Sequence, residues 1–153
     1  MNADNQYLVF GIDRQQYAVA LSSVEKVIRA VELIHLPKSP EFVLGLVNMH
    51  GRIIPVINIR LLFQVPERKM EVNDQIVISR IASRPVAFIA DKVKGVFEFS
   101  PALIDTAGKI LPGMENCIKG VVKFNSTSAV VYDFDRLFSR HDIMRLDNAL
   151  DGH

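Results

Sequence analysis

The chain has 153 residues, 49% of them hydrophobic, and eighteen Lys and Arg against seventeen Asp and Glu leave a formal charge of +1. That length and apolar content suit one domain or two small intimate lobes and exclude a disordered chain, while near-neutrality supplies no global field for a phosphate backbone or an acidic membrane. Cys117 is the single cysteine, so no intrachain disulfide forms; with a polar start at Met1 to Gln6 and no run of about 18 apolar residues, the expectation is a cytoplasmic protein without direct membrane insertion.

Tyr7 to Ile12 and Tyr17 to Leu21 are apolar runs separated by Asp13, Arg14, Gln15 and Gln16, the pattern of a two-stranded hairpin. Val24, Val27 and Ile28 follow at helix-like spacing, and the Val and Ile content also fits one helical turn leading into a strand from Val27 towards Leu36. Pro37 and Pro40 mark a loop. Val43 to Met49 and Ile53 to Ile59 read as strands around His50-Gly51, with a short helical turn at Arg60 to Phe63. The polar stretch from Val65 to Asp74 reads as a surface connection. Strands return at Gln75 to Ile81 and Pro85 to Ala90, with Val93, Val96 and Phe97 next. Ser100-Pro101 predicts a capped short helix, Thr106 to Asn116 a loop, Ile118 to Phe124 and Ser128 to Tyr132 strands, and Asp133 to Ser139 and Asp142 to Leu150 helical segments.

An internal repeat runs through this order. A shift of 75 residues lays Gly45, Val47, Val56, Leu62 and Phe63 over Gly120, Val122, Val131, Leu137 and Phe138. A shift of 69 lays Tyr7 to Ile12, Ala18, Val24 and Val27 over Gln75 to Ile81, Ala87, Val93 and Val96, so the second copy carries an insertion, assigned to the Thr106 to Asn116 loop. Two copies of about five short strands imply two small β-barrels sharing an apolar interface, since each alone buries little surface.

Catalytic motifs are missing from the sequence: it has no GxxxxGK, GxGxxG, HExxH, paired CxxC or GxSxG. His50 is a titratable imidazole, but His35, His141 and His153 are scattered, and a turn or interface role explains it better than metal binding or catalysis. Asp133 and Asp135 suit the N-terminus of a helix rather than an acid-base pair. Arg52, Arg60, Arg68, Lys69, Arg80 and Arg84 add basic surface, but the aromatics sit inside apolar runs where core packing explains them, so no nucleic-acid partner is expected. No catalytic, cofactor-binding or metal residues are assigned.

Gly45, Asn48, Gly51, Ile54-Pro55-Val56, Asn58 and Arg60 together form a pattern that resembles the CheW-like coupling proteins of bacterial chemotaxis. Tyr17-Ala-Val, Val24-Glu-Lys-Val-Ile-Arg, Leu36-Pro, Val86 to Asp91 and Ile118-Lys-Gly-Val extend the resemblance from Tyr7 through Phe138. The resemblance implies an all-β fold of two intertwined five-stranded SH3-like barrels with short helices and a C-terminal helix. It implies a single domain over 1–153, a first lobe near 15–65 and a second near 75–140, with the terminal segments free to cross between them. It also implies a nonenzymatic, cofactor-free adaptor linking a CheA-type histidine kinase to the cytoplasmic tips of methyl-accepting chemoreceptors, at membrane receptor arrays. A scaffold in type IV pilus or developmental signalling is the alternative. The partner surface carried over is Val24, Lys26, Val27, Gly45, His50 and Gly51. Family members commonly have Glu where this chain has Lys26 and Arg where it has His50.

Overall fold

A computed structural model of the chain describes residues 3–106 and 117–151. The strands are β1 (Gln6–Ile12), β2 (Gln15–Ala20), β3 (Val24–Arg29), β4 (Val43–Met49), β5 (Arg52–Ile57), β6 (Gln75–Ile81), β7 (Arg84–Ala90), β8 (Lys92–Glu98), β9 (Ile118–Phe124) and β10 (Thr127–Tyr132); the helices are α1 (Ile59–Leu62) and α2 (Arg140–Asp151). The strand expected to run from Val27 towards Leu36 ends instead at Arg29, with only an isolated bridge at Ile34 beyond it. A 3-10 turn forms at Pro101–Leu103, but Ser100 makes no side-chain capping bond there. The loop expected at Thr106 to Asn116 lies, from residue 107 onwards, outside the described residues.

The strands form two five-stranded sheets, ordered β8-β1-β2-β10-β9 and β3-β6-β7-β5-β4. These are mixed sheets, parallel where β10 meets β2 and where β5 meets β7. The expected SH3-like barrels are therefore not formed: neither sheet closes on itself, and β8, β9, β3 and β4 remain edges. At two of those edges the groups needed for closure are already paired. Ile34 exchanges two 2.8 Å backbone hydrogen bonds with Leu46 on β4, and Asp105 exchanges two with Val121 on β9, at 2.8 and 3.1 Å.

The repeat is visible in the register. Gly45 pairs with Val56 on β5, and its counterpart Gly120 pairs with Val131 on β10. Tyr7 opposite Ala20 matches Ile76 opposite Ile89. Both repeats also close on the same 2.7 Å bond, Asn58 N–H to the Phe42 carbonyl and Asp133 N–H to the Cys117 carbonyl. Yet neither sheet belongs to one repeat. β1 and β2 of the first copy are completed by β8, β9 and β10 of the second, while β6 and β7 of the second are completed by β3, β4 and β5 of the first. The copies exchange their last three strands.

Alternating side chains give each sheet two apolar faces. One face of each is packed within its own sheet: Tyr7, Val9, Ala18, Val122, Ala129 and Val131 in one, Val47, Ile54, Val56, Ile76, Ile78 and Ala87 in the other. The other faces meet in a shared core around Phe10, Tyr17, Val19, Val77 and Phe88, covered by Leu146 of α2. Aromatic rings tie that core together, with Phe63 stacked on Tyr132 at 3.9 Å between centroids and Phe10 beside Phe88 at 4.9 Å. Strand exchange and a common core make the two sheets mutually dependent.

Candidate docking site

Val24, Lys26 and Val27 lie on β3, whereas Gly45, His50 and Gly51 lie on β4 and the turn after it, at the opposite edge of the same sheet. Strand direction sets the start of β3 towards the end of the sheet where His50 and Gly51 turn, while Lys26 and Val27, opposite Ile78 and Val77, stand further along, level with Val56 and Ile57. β3 starts beside the end of β6, with Val24 opposite Ser79; β7 starts from the next turn; and β5, parallel to β7, starts just after His50-Gly51. Glu25 confirms the closeness, because its carboxylate lies 3.1 Å from Arg52 Nη2 on β5. In a flat sheet those strands would stand about 14 Å apart, so the sheet curls strongly and brings the β3 rim towards the hairpin.

Gly45, opposite Val56, shares the row of Lys26 but lies on the far edge strand. It is buried in mid-strand, and a Cβ added there would lie 2.8 Å from the Ile34 carbonyl oxygen and 3.1 Å from Leu33 Cβ. Its counterpart Gly120 is tighter, with the Asp105 carbonyl oxygen at 2.5 Å. Both glycines admit the segment that bridges their strand edge, which is a structural duty.

His50 and Gly51 form a two-residue hairpin turn with φ values of +54° and +88°. Positive φ at both central positions matches the right-handed twist of the flanking strands. Ala82-Ser83 and Asn125-Ser126 turn the same way. Asn48 Oδ1 accepts from the Gly51 N–H at 2.9 Å, so the motif asparagine locks the turn. His50 is exposed and its side chain has no hydrogen-bond or ion-pair partner among the described residues. That arrangement supplies no base, nucleophile or ligand set, and no group of three His, Cys, Asp or Glu placed to hold a metal occurs among the described residues.

β3 bulges between Val24 and Lys26, leaving Glu25 without a residue opposite it. Glu25 faces Arg80 as well as Arg52, at 3.7 Å. Lys26, also exposed, has no hydrogen-bond or ion-pair partner among the described residues. Val24 and Val27 are half-buried and pack against the shared core. Sequence reasoning missed Glu25, Arg52 and Arg80: Glu25 adjoins Lys26 and Arg52 adjoins Gly51, but their meeting depends on the curl of the sheet.

Asn58 and Arg60, read from the sequence only as pattern residues, are interior fastenings. Asn58 caps α1, its Oδ1 accepting from the Leu61 N–H at 3.1 Å, and donates to Glu67 at 2.5 Å. Arg60, whose side chain is 10% exposed, reaches Asp13 at 3.0 Å, Asp91 at 2.9 Å and the Pro66 carbonyl at 2.7 Å. Arg68 joins the network through both oxygens of Asp74 at 2.9 Å and through Asp91 at 2.7 Å. Because Asp13 turns β1 into β2 and Asp91 links β7 to β8, the network stitches the two sheets together. Burial pushes the Asp74 carboxyl up, but the hydrogen bonds from Arg68 and from the Glu71 N–H, with the nearby guanidinium charges, outweigh it and hold the group below its ordinary range. A cavity of about 430 Å³ adjoins these groups, walled by Leu33, Leu44, Met70 and Ile89.

Three comparisons with known proteins bear on this geometry. A family model described as CheW-like domain matches residues 6–142. The chemotaxis protein CheW of Thermotoga maritima is 31% identical over 134 residues, covering 86% of this chain and 86% of that protein; Protein FrzA of Myxococcus xanthus is 23% identical over 93 residues, covering 61% and 58%. Among solved structures, the scaffolding protein TtCheW from Thermoanaerobacter tengcongensis has the same fold, with a TM-score of 0.78 at 24% identity over 89% of this chain and 93% of that one.

Proposed function

The chain belongs to the CheW-like family of nonenzymatic chemotaxis adaptors, and from that premise we propose that it joins a CheA-type histidine kinase to the cytoplasmic tips of methyl-accepting chemoreceptors. Family membership over 6–142 carries this reading. The adaptor acts by binding and geometry: two interlocked sheets with a common core present a stiff surface, so a change in the receptor is transmitted to the kinase without chemistry at this chain. The proposed partner surface is the rim formed by Val24, Lys26, Val27, His50 and Gly51, with Gly45 holding the adjoining strand edge in shape. Among the described residues no helix is long and apolar enough to cross a membrane; the proposed location is the cytoplasmic side of receptor arrays, reached through partners.

Replacing Val27 and Lys26 together tests the surface. Capture of receptor and kinase fragments weakens while the unfolding midpoint stays near that of the parent; unchanged affinity for both partners would remove this rim from the assignment. Lys26 and His50, standing where relatives commonly carry Glu and Arg, favour a second reading, a CheW-like scaffold in another kinase pathway such as type IV pilus or developmental signalling. The kinase recovered with the chain from its native cell distinguishes the two.

A further inference from the structure

We propose that the β3 and hairpin rim selects a partner segment that places a carboxylate against Lys26; this rests on the docking reading and names the chemistry that the docked segment must have. Arg52 and Arg80 meet Glu25, Lys26 lies opposite Ile78 two positions from Arg80 along β6, Asp135 accepts from the Ala82 N–H of the following turn, and the neighbouring Arg84 is neutralised by Asp147 at 2.8 Å. Glu25 is engaged by two guanidiniums, so no anion among the described residues pairs with Lys26. The ammonium stands exposed next to the bulge, where the strand edge departs from regular pairing. Half-buried Val27 follows Lys26 on β3, and Ile53, which is 48% exposed, lies on β5 beyond β6 and β7. An incoming cation meets a surplus of positive charge, Lys26, Arg52 and Arg80 against Glu25 and Asp135, whereas an incoming carboxylate finds an ammonium with no partner among the described residues. A charge at such a rim governs partner choice and association rate more than it adds raw affinity.

The test titrates the full chain against a soluble fragment of the cytoplasmic hairpin tip of a methyl-accepting receptor from the same genome, at about 0.05 M and about 0.5 M salt. Lys26→Glu is expected to weaken binding about tenfold or more at low salt, Lys26→Gln less, with both deficits shrinking at high salt. Arg29→Glu, the same charge change at the far end of β3, is expected to bind like the parent. Equal or tighter binding by Lys26→Glu, or an equal deficit in Arg29→Glu, would overturn the local carboxylate contact and leave the docking reading standing. Failure of the parent chain to bind either the receptor fragment or the kinase would overturn both. Matching unfolding midpoints for all variants confirm that folding is not what the titration reads.

Discussion

Arg60→Met removes the guanidinium that joins the two sheets while keeping much of its volume. Five hydrogen bonds to three groups are lost, and Asp13, Asp91 and the Pro66 carbonyl lose their common donor. Removing one partner of a fully buried ion pair costs about 3–5 kcal/mol. Here the Asp13 side chain is 46% exposed and recovers water, while Asp91 keeps Arg68 at 2.7 Å. The expected loss is therefore about 2–3 kcal/mol, discounted for that solvation. Urea unfolding reads it as a lower midpoint with unchanged slope, and a thermal scan as a drop of roughly 4–12 °C. Arg60→Lys keeps the charge but not the planar fork that serves three acceptors, so it should recover only part of the loss. A deficit below about 0.5 kcal/mol, the range of an ordinary surface change, or full rescue by lysine would refute the stitching role.

Asp74 gives a pH dependence of definite sign. Its carboxyl is held below the ordinary value when folded, so the stability it supplies is present above the unfolded value near 3.8 and is lost as pH falls through the folded one; midpoints measured below about pH 4 should fall less steeply in Asp74→Asn than in the parent, and parallel curves would contradict this. Gly45→Ala and Gly120→Ala should each cost roughly 1–3 kcal/mol by pushing off the bridging segment, with Gly120 the more sensitive, and urea midpoints in the reverse order would show that the close approach is not what matters. His50→Asn should stabilise the chain by about 0.5–1 kcal/mol, because asparagine tolerates the left-handed turn better; calorimetry showing a loss would assign His50 a contact that the turn geometry does not reveal.

Gly45 and Gly120 show how much of the fold was legible. Their 75-residue spacing predicts two matched hairpins, and the structure pairs each with the valine eleven places on, Val56 or Val131. Local alternation and turn chemistry place most strands to within a residue or two. What alternation does not carry is which copy completes which sheet, since that is settled by the pairing of β1 with β8 and β3 with β6 across the chain. Closed barrels followed from treating each copy as its own unit; exchange of strands and occupied edges overturn them. In the site, the resemblance located the rim residues but not why they meet. Glu25 and Arg52 are twenty-seven positions apart and are joined by the curl of the sheet, a property of tertiary packing. Arg60 is recognisable in the sequence as part of a pattern, yet its acceptors Asp13 and Asp91 come from distant turns that no local signal connects to it.

As an adaptor, this chain is expected to join two proteins without catalysing a reaction. Co-elution of a CheA-type kinase and a receptor-tip fragment from the same genome, measured by size exclusion with and without the chain, tests it most directly. The expected result is a ternary complex that requires the chain and is weakened by combined replacement of Val27 and Lys26. A chain that binds neither protein, or a kinase and receptor fragment that associate equally well without it, would rule out the adaptor role.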